Sequence, residues 1–156
     1  MRASDGISSA MIALILFIGV TASAHALLEI QIEGASGWAE KLPTRRFSSR
    51  LVRRFAEVGY VTGFHIATGA FVVALAHFPV LFAEHWTWLN EGVVIAYILL
   101  HFTVEDFLWF VYNPAYGIQK FKKRHIWWHK HWFACLPISY WISVPIAIIL
   151  LALSIR

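Results

Sequence analysis

The chain has 156 residues, of which 59% are apolar and 14% are charged, and its net charge at pH 7 is +4. That charged fraction is well below the roughly 25% of an ordinary soluble domain, and a soluble protein this short exposes too much surface to be so apolar. The composition therefore excludes a soluble globule and a disordered chain, and the single cysteine excludes a disulfide scaffold. It indicates an integral membrane protein.

Four segments are long and apolar enough to cross about 30 Å of hydrocarbon, which takes about 20 helical residues. The third segment ends at Asn113, because Pro114 disfavours helix in the residue before it. The fourth contains Pro137 and Pro145, which a membrane helix tolerates when its neighbours satisfy the freed carbonyls. We therefore predict an all-α, four-transmembrane-helix bundle that forms one membrane domain over residues 1–156. Its predicted helices cover residues 9–32, 58–82, 92–112 and 133–155.

The Lys and Arg residues are concentrated in two connections between these spans. Six lie between the first and second spans and five between the third and fourth, so the two connections hold eleven of the thirteen cations. By the positive-inside rule both connections are cytoplasmic and both termini are outside, as in a bacterial-type inner (plasma) membrane. Cations beside the bilayer fit contact with membrane lipids and argue against a nucleic-acid partner. An alternative makes residues 1–26 a cleaved signal peptide, which would leave the six-cation connection outside.

The connection between the third and fourth spans is rich in both lysine and tryptophan. Residues 119–132 have the composition of a basic amphipathic helix that lies at the membrane surface with its indole rings among the headgroups. We predict such an interfacial helix here. On it, His125 and His129 are four residues apart and share one face.

The motif His-x-x-x-Glu occurs in two spans that run in the same direction. It is formed by His25 and Glu29 in the first span and by His101 and Glu105 in the third. Ionisable groups at membrane depth are costly, usually face the bundle interior and often mark function. Both motifs lie in the inner half of the membrane, within the error of the predicted boundaries.

Imidazole and carboxylate groups from facing helices suit iron, zinc or manganese. One or two iron ions are favoured, because mixed His and carboxylate ligation inside a helical bundle is typical of di-iron proteins. Asp106 is predicted to be a catalytic proton relay or a partner of the ligands. The predicted metal ligands are His25, Glu29, His65, His101, Glu105, His125 and His129.

The same residues also have structural interpretations. Core histidines can bond to backbone carbonyls or to each other's carboxylates. Asp106 can pair with Arg53, Arg54 or a lysine at the interface, or cap a loop. Glu33 lies near the end of the first span, where we expect it to be solvated. The metal-site prediction therefore depends on the residues meeting at one depth.

His125-x-x-x-His129 resembles one of the histidine boxes of the membrane desaturases and hydroxylases. The resemblance covers about ten residues, and the H-x-x-H-H boxes of those enzymes do not occur in this sequence. Glu29 and Glu105 are also foreign to their pattern. The resemblance implies iron chemistry on a lipid, but it does not assign the chain to that family.

The expected function is that of a membrane-embedded, metal-dependent enzyme acting on a lipid or another apolar small molecule that enters from the bilayer. Oxygen-dependent iron chemistry is favoured over zinc hydrolysis. One alternative is a haem- or quinone-binding electron-transfer subunit, with histidines as axial ligands. Another is a non-enzymatic subunit or proton carrier, because intramembrane Glu and His residues also form proton relays. A second copy of the chain and a redox partner are both compatible with these functions.

Overall fold

The computed structural model of the chain describes residues 3–83 and 85–154, with the side chains of residues 9–54, 56–83 and 85–154. Most of the described chain is helical. The α-helices are α1 (Ala3–Glu33), α2 (Arg50–Phe55), α3 (Gly63–His77), α4 (Trp88–Tyr112) and α5 (Ile138–Ser154), and Phe78–Phe82 and Ile118–Lys120 are 3₁₀ helices. Two antiparallel pairs of short strands join β1 (Arg46–Phe47) to β2 (Val61–Thr62) and β3 (Trp132–Phe133) to β4 (Leu136–Pro137).

Three helical stretches of the described chain are long and apolar enough to cross a membrane. They are Ser9–Glu33, Gly63–Phe82 and Trp88–Tyr112, and they correspond to the first three predicted spans. The fourth predicted span corresponds to α5, an apolar helix of 17 residues. At about 1.5 Å per residue it is about 25 Å long, which is shorter than the hydrocarbon thickness, and its predicted end at residue 155 lies outside the described residues.

The second span begins five residues later than predicted. Gly59 has a φ of 85°, in the left-handed region that favours glycine, and the chain then pairs as β2 with β1. Helix α3 starts only after Thr62, whose side chain accepts a hydrogen bond from the backbone N–H of His65. This is ordinary N-capping by threonine, and it fixes where His65 enters the bundle.

The predicted interfacial helix over residues 119–132 is wrong. Only Ile118–Lys120 is helical there, as one 3₁₀ turn, and residues 121–131 form turns and irregular chain. Ile126 and Trp128 are both buried, whereas Trp127 between them is 43% exposed. Side chains two residues apart lie on opposite sides of an α-helix but on the same side of an extended chain. Burying both side chains therefore favours the irregular backbone.

Helix α4 lies between α1 and α5 and contacts both along much of its length, and α3 contacts α4 less extensively. Asn113, just after α4, donates to the carbonyl of Gly34, just after α1 (2.8 Å). The two helices therefore run parallel and end at the same side of the molecule. Helix α5 runs antiparallel to α4, and the Thr103 and Ser143 hydroxyls meet across that contact (2.7 Å).

The side of the molecule where α1 and α4 end is here called the basic end, because both Lys- and Arg-rich connections lie there. Its core consists of aromatic rings. Trp109 and Phe110 of α4 pack against Trp128 of the irregular connection, with Ala26 and Ile30 of α1 in the same cluster. The connection is therefore fixed to the ends of the two helices.

Candidate functional site

The two His-x-x-x-Glu motifs lie side by side on α1 and α4. Each residue of the first motif is 76 positions from its counterpart in the second, and the Nδ1 atom of His25 lies 3.1 Å from the Nε2 atom of His101. The carboxyl groups of Glu29 and Glu105 are within hydrogen-bonding reach of each other. The two motifs therefore lie against each other, whereas their predicted role as metal ligands stays a prediction.

The contacts of the histidines continue towards the middle of the bundle. His101 is 1% exposed, and its Nδ1 atom lies 3.2 Å from the Thr21 hydroxyl and 3.3 Å from the Tyr97 hydroxyl. Tyr97 in turn donates to the Thr21 hydroxyl (2.9 Å). These polar groups satisfy one another between two apolar helices, as buried polar groups generally do.

Glu29 and Glu105 form a buried carboxyl pair, with only 9% and 6% of each residue exposed. Two carboxyl groups can hydrogen-bond to each other only when one of them holds a proton, because an ionised carboxylate has only acceptors. The Nε2 atom of His25 is 3.5 Å from Glu29 Oε1, longer than an ordinary hydrogen bond. The pair can thus present one acid and one base at the same place.

Asp106, the residue after this pair on α4, binds two other segments. It accepts a hydrogen bond from the Tyr140 hydroxyl of α5, and its Oδ2 atom lies 3.0 Å from the Nε2 atom of His129. Pairing of Asp106 with an arginine, one of the structural interpretations, is therefore not what the structure has. Burial by itself lowers the pKa of His129, but Asp106 and then Glu57 outweigh it, so that the pKa is raised above its ordinary value.

Two further carboxylates bind backbone N–H groups at the basic end. Glu33 accepts from the N–H of Ala39 (2.5 Å) in the turn after α1, and it is only 8% exposed. The expectation that Glu33 is solvated is therefore wrong. Glu57 accepts from the N–H groups of Lys130 and His131 and so binds the connection that contains His129.

These groups surround a cavity of about 450 Å³ between the helices at the basic end. Its wall combines acidic groups with aromatic rings and apolar side chains, and among the described residues neither lysine nor arginine lines it. The volume is within the range of small-molecule sites in proteins. The acidic residues in the wall are Glu29, Glu33, Glu57, Glu105 and Asp106, and the aromatic rings are those of Trp38, Phe102, Trp109, Trp128 and Tyr140.

The remaining predicted ligands lie at different distances from this centre. His65 lines the cavity, with Nδ1 2.6 Å from the Thr62 hydroxyl and its ring 4.3 Å from that of Trp38. His129 lines it as well. His125 does not join them, because it is exposed and accepts a hydrogen bond from Arg124 (3.0 Å). Without the interfacial helix, nothing places His125 on one face with His129.

Within the described part of the chain, no group of three or more His, Cys, Asp or Glu side chains is placed so that it could hold a metal ion. The predicted ligands instead contact one another in pairs. His25, for example, presents its two ring nitrogens to different partners, His101 and Glu29. The metal roles of these residues stay predictions.

Four buried side-chain atoms have no hydrogen-bond partner among the residues that the structure describes. They are His25 Nε2, Trp38 Nε1, Trp109 Nε1 and Glu105 Oε1. All but His25 belong to residues of the cavity wall. A buried polar atom without a partner costs free energy, of the order of 1–3 kcal/mol, so these four atoms destabilise this end of the bundle.

Sequence reasoning did not find several residues of this wall. Tyr140 lies in an apolar helix, where an aromatic residue is usually part of the core, and Glu57 lies in a basic connection, where a carboxylate is usually solvated. No spacing in the sequence distinguishes either from such residues. Trp128 was expected at headgroup depth but is 4% exposed and lies against the cavity.

No protein-family model matches the chain, and no curated protein or solved structure shows significant similarity to it.

Proposed function

We propose that the chain is an integral membrane enzyme that transfers protons on a lipid or another apolar molecule bound in the cavity. The observation that carries this proposal is the buried carboxyl pair of Glu29 and Glu105 in the cavity wall. One protonated and one ionised carboxyl group, side by side, supply a general acid and a general base. Groups positioned in this way typically accelerate proton transfer by about 10²–10⁴-fold.

The surroundings of the pair support this function. Asp106, held by Tyr140 and His129, adds a second ionisable cluster to the same wall. The apolar part of the wall suits a substrate that partitions into lipid, because ligand sites are mostly apolar with a few placed polar groups. We place the basic end on the cytoplasmic side of a bacterial-type inner membrane, since cations concentrate on that side.

The experiment follows solvent protons into the substrate. The protein in lipid nanodiscs is incubated in D₂O with a total lipid extract, and mass spectrometry compares the lipids after incubation. We expect one lipid class to gain deuterium or change mass, and we expect Glu105→Gln and Glu29→Gln to reduce the rate at least 100-fold. Glu91→Gln is the matched control, because Glu91 contacts His77 and Trp86 far from the pair. An unchanged extract, or equal rates in all variants, would overturn the proposal.

The sequence predicts a metal-dependent form of this chemistry, with iron favoured over zinc or manganese. The ligands that the sequence predicts for this form contact one another in pairs, and no group of three or more described His, Cys, Asp or Glu side chains is placed to hold an ion, so binding would require them to converge. Elemental analysis of protein purified without chelator tests this form. One or two iron, zinc or manganese ions per chain, lost in Glu29→Ala and Glu105→Ala, would support it, and metal-free protein with full activity would leave the acid–base form. The absorption spectrum of the same sample tests for haem.

Proton carriage is a second candidate, favoured by one observation. A line of polar groups at contact distances runs along α1 and α4. In order, it consists of Thr21, Tyr97, His101, His25 and the carboxyl pair. Proton relays in membranes consist of such residues. Vesicles that contain the protein and an internal pH dye test it. Proton flux that His101→Phe abolishes, without lipid turnover, would favour the carrier over the enzyme.

A further inference from the structure

Three arginines of the connection between α1 and α3 lie together on the short helix α2 and are here called the arginine triad. Arg53 and Arg54 are each about one turn from Arg50, so their Cβ atoms lie about 5–6 Å from that of Arg50. All three residues are exposed. The ion pairs among the described residues all involve histidine, so none of the three guanidinium groups has a carboxylate partner there.

The β1–β2 pair holds the triad beside the beginning of α3. Arg46 lies opposite Thr62, the residue before α3, and α2 begins three residues after β1 ends. Two apolar side chains next to the triad are exposed, Phe47 by 45% and Leu51 by 68%. Cations beside exposed apolar side chains are typical of segments that lie in the membrane interface. The triad is thus within a few residues of an apolar span and carries apolar groups of its own.

We propose that the arginine triad binds the phosphate headgroup of an anionic phospholipid, with Phe47 and Leu51 against the acyl chains. Guanidinium groups suit this role, because their planar fork of donors pairs with two phosphate oxygens at once. Clusters of Lys and Arg next to a membrane span attract anionic lipids in the same way. This surface is separate from the cavity, and the inference does not depend on any reaction there.

Charge complementarity selects the kind of headgroup. Like charges one helical turn apart destabilise a helix, so an anion shared by the arginines relieves their repulsion. Phosphatidylglycerol supplies one net negative charge, whereas phosphatidylcholine brings a quaternary ammonium group to a surface that is already positive. A soluble acidic partner neutralises the arginines but leaves Phe47 and Leu51 in water. A phospholipid both neutralises the charge and covers the apolar side chains, and that burial is itself favourable.

Native mass spectrometry of the full chain, released from a mild detergent, measures the binding of phosphatidylglycerol and phosphatidylcholine with identical acyl chains. The test variant is Arg50→Gln/Arg54→Gln. Its matched control, Lys122→Gln/Lys123→Gln, removes the same charge from exposed residues of the other connection at the basic end. Arg53 is kept, because it donates to the Ser48 hydroxyl (3.2 Å). The four substituted side chains are exposed and belong to no described ion pair, so both variants should fold.

We expect the native chain and the lysine variant to bind phosphatidylglycerol at least tenfold more tightly than phosphatidylcholine, a difference of about 1.4 kcal/mol. In the arginine variant this preference should fall at least fivefold. The same fall in both variants would overturn the site and assign the preference to the summed charge of the basic end.

Two further outcomes would also overturn the inference. One is equal binding of the two lipids by the native chain. The other is displacement of phosphatidylglycerol by inorganic phosphate or by an oligoglutamate peptide at the same concentration as the lipid, which would identify the occupant as a soluble anion. If neither competitor displaces the lipid and the arginine variant alone loses the preference, the site is supported. Because no turnover is measured, this result is the same whether or not the cavity is an enzyme's.

Discussion

His129 joins a connection outside the three apolar spans to a carboxylate on α4. Its side chain lies 3.0 Å from Asp106, and the neighbouring backbone N–H groups bind Glu57. A histidine that gains a proton here gains two acidic neighbours, which is why its pKa is raised despite burial. The protonation state of this one residue therefore affects how firmly the connection is held against the cavity.

We predict that the docking of this connection depends on pH. Because the pKa of His129 is raised in the folded protein, its contribution to stability is fully present below about pH 6.5, the ordinary histidine value, and is lost as the pH rises through the raised pKa. Hydrogen–deuterium exchange of residues 125–131 should therefore become faster with rising pH, after correction for the intrinsic exchange rate.

NMR titration of the histidine ring protons checks the cause. Asp106→Asn should lower the pKa of His129, whereas Glu40→Gln, which changes an exposed carboxylate of the turn after α1, should leave it unchanged. The same pKa in the native chain and in Asp106→Asn would contradict the explanation. His125 provides an internal comparison, because it is exposed and lies on the same connection.

At the scale of elements, the turn after α1 packs directly against the connection between α4 and α5. A Cβ atom on Gly37 would lie 2.4 Å from the outer ring edge of Trp128. That ring is 4% exposed and stacks on Phe110 at 5.8 Å between centroids. The ring has little room to move, so this contact depends on the missing side chain of the glycine.

We predict that Gly37→Ala destabilises the protein by about 1–3 kcal/mol, the usual result of overpacking a close-packed core. Denaturant unfolding in detergent, followed by tryptophan fluorescence, measures the change. Gly69→Ala is the matched control, since a Cβ there meets nothing within 4 Å and alanine favours helix over glycine. Equal unfolding midpoints for the two variants would show that Trp128 is not confined as described.

The elements also show what a single sequence can and cannot predict. The three long spans follow from hydropathy alone, because one continuous stretch of about 20 apolar residues satisfies its own backbone groups in lipid only as a helix. The alternating burial of Ile126 and Trp128 depends on packing against the rings of α4, a tertiary contact that the local sequence does not show. A local composition of lysine and tryptophan is compatible with a surface helix or with a packed loop.

The candidate site likewise has one part that the sequence predicts and another that it does not. Its centre was predictable, because a repeated His-x-x-x-Glu in two spans of the same direction places like residues opposite each other in parallel helices. The hydrogen bond that Glu33 accepts from the Ala39 N–H was not predictable, because it depends on the left-handed turn at Trp38 and Ala39, with φ of 58° and 49°. The arrangement of the side chains into pairs also differs from the convergence on one ion that the sequence led us to expect.

At the scale of the whole molecule, the proposed orientation has a natural reporter. Cys135 is the chain's only cysteine, and it is exposed in the turn between β3 and β4 at the basic end. A membrane-impermeant maleimide should therefore label Cys135 in inverted inner-membrane vesicles but not in intact cells or spheroplasts. The positive-inside rule supplies the physical reason.

The end of the molecule opposite the basic end supplies the control for this experiment. In a Cys135→Ser background, His85→Cys places a thiol in the exposed segment between the 3₁₀ helix Phe78–Phe82 and α4. That thiol should react in spheroplasts and be protected in inverted vesicles. Labelling of both positions from the same side would contradict the proposed arrangement of the spans, and the reverse pattern would place the basic end outside.

The register of α1 with α4 has a consequence for the synthesis and membrane insertion of the protein. Glu29 leaves the ribosome 76 residues before Glu105, which at 5–20 residues per second is roughly 4–15 s. During that interval Glu29 has His25 beside it on the same helix but lacks its partner on α4. The first helix therefore either enters the membrane with this carboxyl group protonated or keeps it in contact with water.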